Sequence, residues 1–181
     1  MIRILAWLLG LIVTIVAILF AVYLGLRHHD GPMEVIRGGP FQTGELVTTN
    51  PAQDWQFLQD RMVVELQLVE PSTSRVMWLV VHDNRLFILS AFMKTKYGRV
   101  WKQWPHHAEK DNRALMRVDG KIYPRTLVRL DADAVNQTVI DEFMRKYQVE
   151  LRKEDVASGA TWFYELAPRD LSPGEAVPAT G

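Results

Sequence analysis

The chain opens on a run without a single charge, Ile4 to Leu26 (ILAWLLGLIVTIVAILFAVYLGL). That exceeds the roughly 20 residues a helix needs to cross the hydrocarbon core of a bilayer. Trp7 and Tyr23 stand near its ends, where amphipathic rings favour the interface, and Arg3 and Arg27 close it. A cleaved signal peptide has a shorter apolar core, about 7–15 residues, and a small-x-small site. The residues after Phe20 (Ala21, Val22, Tyr23, Leu24, Gly25) make a poor site. The pattern predicts an uncleaved transmembrane anchor over residues 1–27, touching lipid through 4–26. Positive charge is nearly balanced across it: Arg3 and the amino terminus face Arg27 and Arg37. A short tail before a first apolar helix stays inside. The expectation is a single-pass protein, of a bacterial inner membrane, with its domain on the periplasmic or exterior side.

Residues 28–50 are rich in Gly and Pro (Gly31-Pro32, Gly38-Gly39-Pro40, Gly44) and read as a linker. Asn50-Pro51-Ala52-Gln53 has the order of a helix start, with Trp55 and Leu58 facing inward. The period then shortens to two. Met62–Val69 alternates, with Val64, Leu66 and Leu68 on one face. Arg75–His82, the turn Asp83-Asn84 and Leu86–Ser90 read as a hairpin. Ala114–Val118 runs to Asp119-Gly120, a strong two-residue turn, and Lys121–Leu130 returns. Pro124 within that return predicts an edge or a bulge. Ala160–Leu166 is the sixth strand. Two helices interrupt the strands, one over about Lys94–Trp104. The other runs from near Asp133 to Tyr147, with Val135, Val139, Phe143 and Tyr147 on one stripe. The expected fold is mainly β (α+β): a six-stranded split β-barrel over 51–167 with intervening helices, preceded by one transmembrane helix. Small closed sheets hide their edges. The Pro-rich tail 168–181 is expected to be disordered.

The 181 residues fit one domain with an appendage. Zero cysteines exclude disulfides, thiolate metal sites and a cysteine nucleophile. A net charge of zero argues against a nucleic-acid partner. The zero conceals a pattern. Residues 28–84 carry three basic and eight acidic side chains, 85–129 eleven basic and three acidic, and 131–175 five basic and ten acidic. In the basic block, Arg117, Lys121, Arg125 and Arg129 read as solvent-facing strand residues paired with acids elsewhere. Lys94-Thr95-Lys96, with Arg99 and Lys102, follows a strand and opens a helix. Free N–H groups at a helix start, beside lysines and a hydroxyl, make a phosphate cradle; a merely solvated helix start is the plainer reading.

The order of strand, loop (Glu70–Arg75), strand, tight turn, strand, polar helix, strand, Asp-Gly turn, strand resembles the split-barrel flavin-binding superfamily. That superfamily includes pyridoxamine-phosphate-oxidase-like proteins and deazaflavin-dependent nitroreductases. The likeness covers about Asp60–Tyr147 and centres on Leu89–Pro105. It implies an FMN or deazaflavin cofactor, haem in some members, and a site often shared across a homodimer. Carried over, Ser90, Lys94, Thr95, Lys96 and Lys102 are the candidate cofactor-binding residues, with Trp101 beside Ser90 near the ring. Where the deazaflavin enzymes carry a Gly-Arg-Lys-Ser-Gly-like turn, this chain has Glu70-Pro71-Ser72-Thr73-Ser74-Arg75.

Tyr97, Trp101 and Trp104 share a helix face, either packed on the barrel or stacked on a ring. His28-His29 follow the membrane span, His82 ends a strand, and His106-His107 lie near the basic block as candidate haem ligand or proton donor. No metal-ligand spacing, P-loop, G-x-G-x-x-G or nucleophile elbow occurs. Two functions remain open. One is a membrane-anchored flavin- or deazaflavin-binding oxidoreductase, in which the cofactor carries the chemistry. The other is a non-enzymatic membrane-tethered module, its basic patch contacting anionic lipid or a protein partner.

Overall fold

Two Asp-led turns set the frame of the sheet. In the computed structural model both residues of Asp83-Asn84 (φ 49° and 56°) and of Asp119-Gly120 (φ 50° and 73°) are left-handed. That is the conformation whose twist matches a tight hairpin. Residues 2–33, 36–47, 53–96, 98 and 102–171 are described. The expected helix start at Asn50-Pro51, the positions Tyr97, Arg99 and Trp101, and most of the tail lie outside them.

Among the described residues the strands are β1 (Glu45–Leu46), β2 (Val63–Leu68), β3 (Thr73–Trp78), β4 (Val80–His82), β5 (Arg85–Ser90), β6 (Arg113–Val118), β7 (Lys121–Leu130) and β8 (Trp162–Pro168). They make one sheet in the order β3-β2-β6-β7-β8-β5-β4, antiparallel throughout, with β1 added in parallel to β7. The mainly antiparallel, barrel-like fold is as expected, but there are eight strands rather than six. The predicted strand Arg75–His82 is two, and they occupy opposite ends of the sheet. The break is at Leu79. Its N–H donates to Tyr147 Oη (2.7 Å) and its carbonyl accepts from Lys146 Nζ (2.9 Å). Side chains thus satisfy a backbone that has left one ladder before joining the next. One continuous stretch of chain therefore feeds both sheet ends and curls the sheet on itself.

Pro124 corrects a second expectation, because β7 is not an edge: it lies between β6 and β8. The proline sits where the neighbour on one side changes. β1 pairs only as far as Ile122, and β8 pairs only from Arg125 onward. A residue without an N–H is tolerated at such a gap.

Inside the curl lies a core built by Leu58, Leu66, Leu68, Met77, Leu79, Ile88, Met116, Tyr164 and their neighbours. A second layer packs outside, where Val135, Val139, Ile140 and Phe143 cover Val80, Phe87 and Phe163. The short helices are α2 (Trp104–Ala108), α3 (Gln137–Tyr147) and α4 (Lys153–Ser158). The α3 stripe is the predicted one. The helix begins later than Asp133 because Asp131 caps the amides of Asp133 and Ala134 in a turn, and Asn136 is the N-cap (Thr138 N–H to Oδ1, 2.9 Å). The helix expected over Lys94–Trp104 does not run through. Lys96 and Gly98 are helical, Lys102 and Gln103 are not, and Trp104 opens α2 with Pro105 in its first turn.

The N-terminal helix α1 spans Ile2–Arg27. Trp7–Arg27 is long and apolar enough to cross a membrane, and none of it is buried in the protein. The segment after it, read as a linker, lies along the sheet. Gly38 bridges Ser74, the Phe41 N–H donates to Gln67 Oε1 (2.6 Å), Phe41 is buried, and β1 joins β7. Phe41 supplied the hidden apolar signal in a stretch dominated by Gly and Pro.

Candidate functional site

The two ends of the curled sheet face each other without pairing, and a cavity of about 630 Å³ occupies that split. One wall is β3, contributing Thr73, Arg75 and Met77. The opposite wall is the end of β5 with Leu89 and Ser90, continued by Ala91 and Phe92. Lys102, Trp104 and His107 close one side, and Ile36–Arg37, from the segment after α1, close another.

Arg75 is the central group. In the β2–β3 register it stands opposite Leu66, on the face that carries Met77 and the inner core. Its Nη2 donates to Thr73 Oγ1 (3.3 Å), its guanidinium lies 5.6 Å from the Trp104 ring centroid, and its buried Nε has no partner. Burial, then the charge of Arg37, lowers its pKa to about 10. Lys102 donates to the Ala91 carbonyl (2.7 Å) and lies 5.6 Å from the Phe92 ring; burial lowers its pKa too. The His107 pKa is lowered first by burial and then by Lys110, Arg75, His106 and Arg37. Among the described residues no Asp or Glu lines the cavity. Arg75, its Nε buried, and a half-buried Lys102, with the exposed Arg37 at the rim, form a receptor for an anion.

Of the residues expected to bind a cofactor, Ser90 and Lys102 line this cavity. Ser90 is 2% exposed, and its hydroxyl contacts Met93 Sδ (3.3 Å). Lys94, Thr95 and Lys96 are exposed and outside the lining. The Thr95 hydroxyl donates to the Phe92 carbonyl and accepts from the Gly98 N–H (both 2.9 Å), so it caps its own turn. Trp101 lies outside the described residues. Arg37 and Arg75 were not singled out; Trp104 was read as packed on the barrel or stacked on a ring, and His107 as a candidate haem ligand or proton donor, and both line the cavity. For Arg75 a signal existed: in RVMWLVVH the arginine alternates with Met77 and Leu79, a charge on an apolar face.

The basic block divides. Arg117 bonds Glu65 (2.5 Å) and Asp30 (2.7 Å), and Arg129 pairs with Glu109 (3.2 Å), as expected of strand residues facing acids. Arg125 corrects that expectation. It is 4% exposed on the inner face of β7, stacked on Trp55 (4.5 Å) and Tyr123 (5.7 Å), with no ion pair and an unpartnered Nε. Burial pushes its pKa down to about 10. His106 packs edge-on against Trp162 (5.1 Å).

No family model matches the chain, and no curated protein matches it. Among solved structures, an F420 reductase superposes with a TM-score of 0.40 at 12% identity, over 66% of this chain and 97% of that one. The likeness is too remote to assign a family or a ligand.

Proposed function

We propose that the cavity binds a phosphate-bearing flavin or deazaflavin, FMN or a deazaflavin, in a membrane-anchored oxidoreductase-like domain. The cation set around Arg75, with its unpartnered Nε and no carboxylate among the described lining residues, carries the reading. The volume suits it, since small-molecule sites run about 300–1,000 Å³. Arg75, Arg37 and Lys102 would hold the anionic part. Met77, Leu89, Trp78 and Trp104 offer flat or apolar walls for a ring. Such a group supplies hydride or electron transfer when bound, which asks the chain only to bind, orient and exclude water. Ser90 and His107 are among the polar groups of the lining able to meet ring heteroatoms. Nothing in the cavity singles out haem.

The test is titration of the full chain, purified in detergent, with FMN and with a deazaflavin, followed by the visible absorption of the ligand. Binding to the wild type that weakens in Arg75→Met supports the reading. No binding of either by folded protein overturns it and favours the tethered module without a cofactor.

A further inference from the structure

The membrane helix and the cavity meet at one corner of the domain. Gly39 lies against the last turn of α1: a Cβ built on it would collide with the Arg27 carbonyl oxygen and come 2.8 Å from that of His29. Gln42 Nε2 donates to the His28 carbonyl (2.6 Å), and Asp30 accepts from the Gln42 amide (2.7 Å). The chain leaving the helix is therefore held on the domain. Arg37, two residues before Gly39, is a cavity residue, no more than about 7 Å of chain away. At about 1.5 Å per residue, the 21 residues Trp7–Arg27 match a hydrocarbon core of about 30 Å. With α1 across a bilayer, Arg27 reaches the headgroups, and Arg37 stands in that layer or at its margin.

The cavity rim has the composition of a surface that sits there. Ile36 (46% exposed), Trp78 (42%) and Phe92 (68%) line the mouth, and Met33 (44%) pairs with Ile36 beside it. Phe92 is unusual twice over: it is bulky, yet its φ is 63°, in the left-handed region, and its ring stands outward. Arg37 follows Ile36 directly, Lys94 and Lys96 come two and four residues after Phe92, and all three are exposed. Apolar side chains set among cations bind an anionic membrane surface, each basic residue contributing about 1 kcal/mol.

We propose that this face, with Met33, Ile36, Trp78 and Phe92 as its apolar tips and Arg37, Lys94 and Lys96 as its cations, seats on the anionic headgroups of the bilayer that α1 crosses. The cavity then opens at headgroup depth. The seat requires α1 to span the bilayer and does not depend on which ligand the cavity holds.

The chain has no cysteine, so a single one can carry a fluorescent label. Ile36→Cys and Phe92→Cys probe the seat. Gln137→Cys is the control, at the far end of β5. Its neighbour Asn136 lies 3.4 Å from His82, beside the Asp83 turn, whereas the cavity is at Ser90. The labelled full chains are reconstituted in vesicles of phosphatidylcholine with phosphatidylglycerol, and in phosphatidylcholine alone, each containing a spin-labelled lipid as quencher. Quenching at 36 and 92 severalfold stronger than at 137, falling without phosphatidylglycerol and with Lys94→Glu/Lys96→Glu, supports the seat. Equal quenching at the three sites, or extraction of the chain by alkaline carbonate, overturns it. A second measurement needs no variant. In the anionic vesicles the amines of Lys94 and Lys96 should react with a water-soluble acylating reagent more slowly than in detergent; equal rates overturn the proposal.

Discussion

Two groups of cations meet strand β3 and its neighbour β2 on opposite faces, and they have opposite fates. On the outer face Arg117 reaches Glu65, Asp30 and the Thr43 carbonyl, with its guanidinium 4.3 Å from the Phe41 ring centroid. On the inner face Arg75 has one long hydrogen bond, a bare Nε, and no carboxylate among the described residues lining its cavity. Glu65 and Leu66 are consecutive on β2, so the pleat sends one arginine's partner outward and leaves the other arginine against the core. The first group is a clasp that holds the segment after α1 onto the sheet. The second holds charge without relief, an arrangement that the proposed anionic ligand would complete.

The sharpest way to break this contrast is to remove each arginine in turn. Arg117→Met strands Asp30 and Glu65, and the expected loss is about 3 kcal/mol, the lower end for a broken buried pair because both acids are partly solvated. Urea unfolding of the detergent-solubilised chain measures it; a loss under about 0.5 kcal/mol, typical of an idle surface site, would show that the clasp is not structural. Arg75→Met removes an uncompensated buried charge and should leave stability unchanged or higher. Its cost falls on the ligand instead: about 2 kcal/mol, or roughly thirtyfold in Kd for FMN or the deazaflavin, from one lost charge-assisted contact. If Arg75→Met unfolds the domain while retaining ligand affinity, the roles assigned to the two faces are wrong.

Much of the fold was legible from local pattern, and much of the site was not. The turns at Asp83-Asn84 and Asp119-Gly120 and the stripe on α3 depend on neighbours in sequence, and each stands where the pattern put it. The split of Arg75–His82 depends on Tyr147 and Lys146, well over sixty residues away, which replace a ladder at Leu79. The segment 28–50 looked like a tether because its contacts, Gly38 with Ser74 and Phe41 with Gln67, are made by backbone and by one aromatic. The charge pattern misled most. The basic block 85–129 drew attention, yet Arg113, Arg117 and Arg129 in it are paired. Two of the cavity's cations, Arg37 and Arg75, come from the acidic stretch before it. Counting charge along the chain does not show which cations are neutralised in space. Ser90 and Lys102 were found because the end of a strand and the basic stretch after it are local features.

Acid sharpens the clasp. Burial alone would raise the Asp30 pKa, but hydrogen bonds from Gln42 and Thr43 and the Arg117 guanidinium outweigh it and hold the carboxyl at about 2 against an ordinary 3.8. A depressed carboxyl pKa contributes stability that is complete above the unfolded value and is lost as pH falls through the folded one. The Asp30 contribution is therefore full above about pH 4 and fades between about pH 4 and 2, amounting to at most about 2.4 kcal/mol, less for solvent screening of the part-exposed carboxylate. Asp30→Asn should be less stable than wild type by up to that amount at neutral pH, and the two should converge in acid. Parallel pH profiles, with no convergence below about pH 3, would mean that the Asp30 charge is idle.

The cavity responds to acid in the opposite sense, and more weakly. His107 has a lowered pKa because burial and the cations Lys110, Arg75, His106 and Arg37 disfavour its charged form. Its folded value is below its unfolded one, so as pH falls below about 6.5 its protonation opposes the empty fold. A bound anion reverses that balance, because the imidazolium then faces negative charge and its pKa rises. Affinity for an anionic ligand should therefore increase a few-fold as pH is lowered from about 7.5 to about 5.5, with a fraction of a proton taken up per ligand bound. The phosphate of the ligand itself titrates near pH 6, so the comparison is made with His107→Gln, in which only the ligand's own proton remains. Isothermal titration in buffers of different ionisation enthalpy counts the protons. A wild type and a His107→Gln variant with the same count would place the anion away from His107, toward Arg37 and Lys102, while leaving Arg75 as the group that distinguishes the inner face of β3 from the outer.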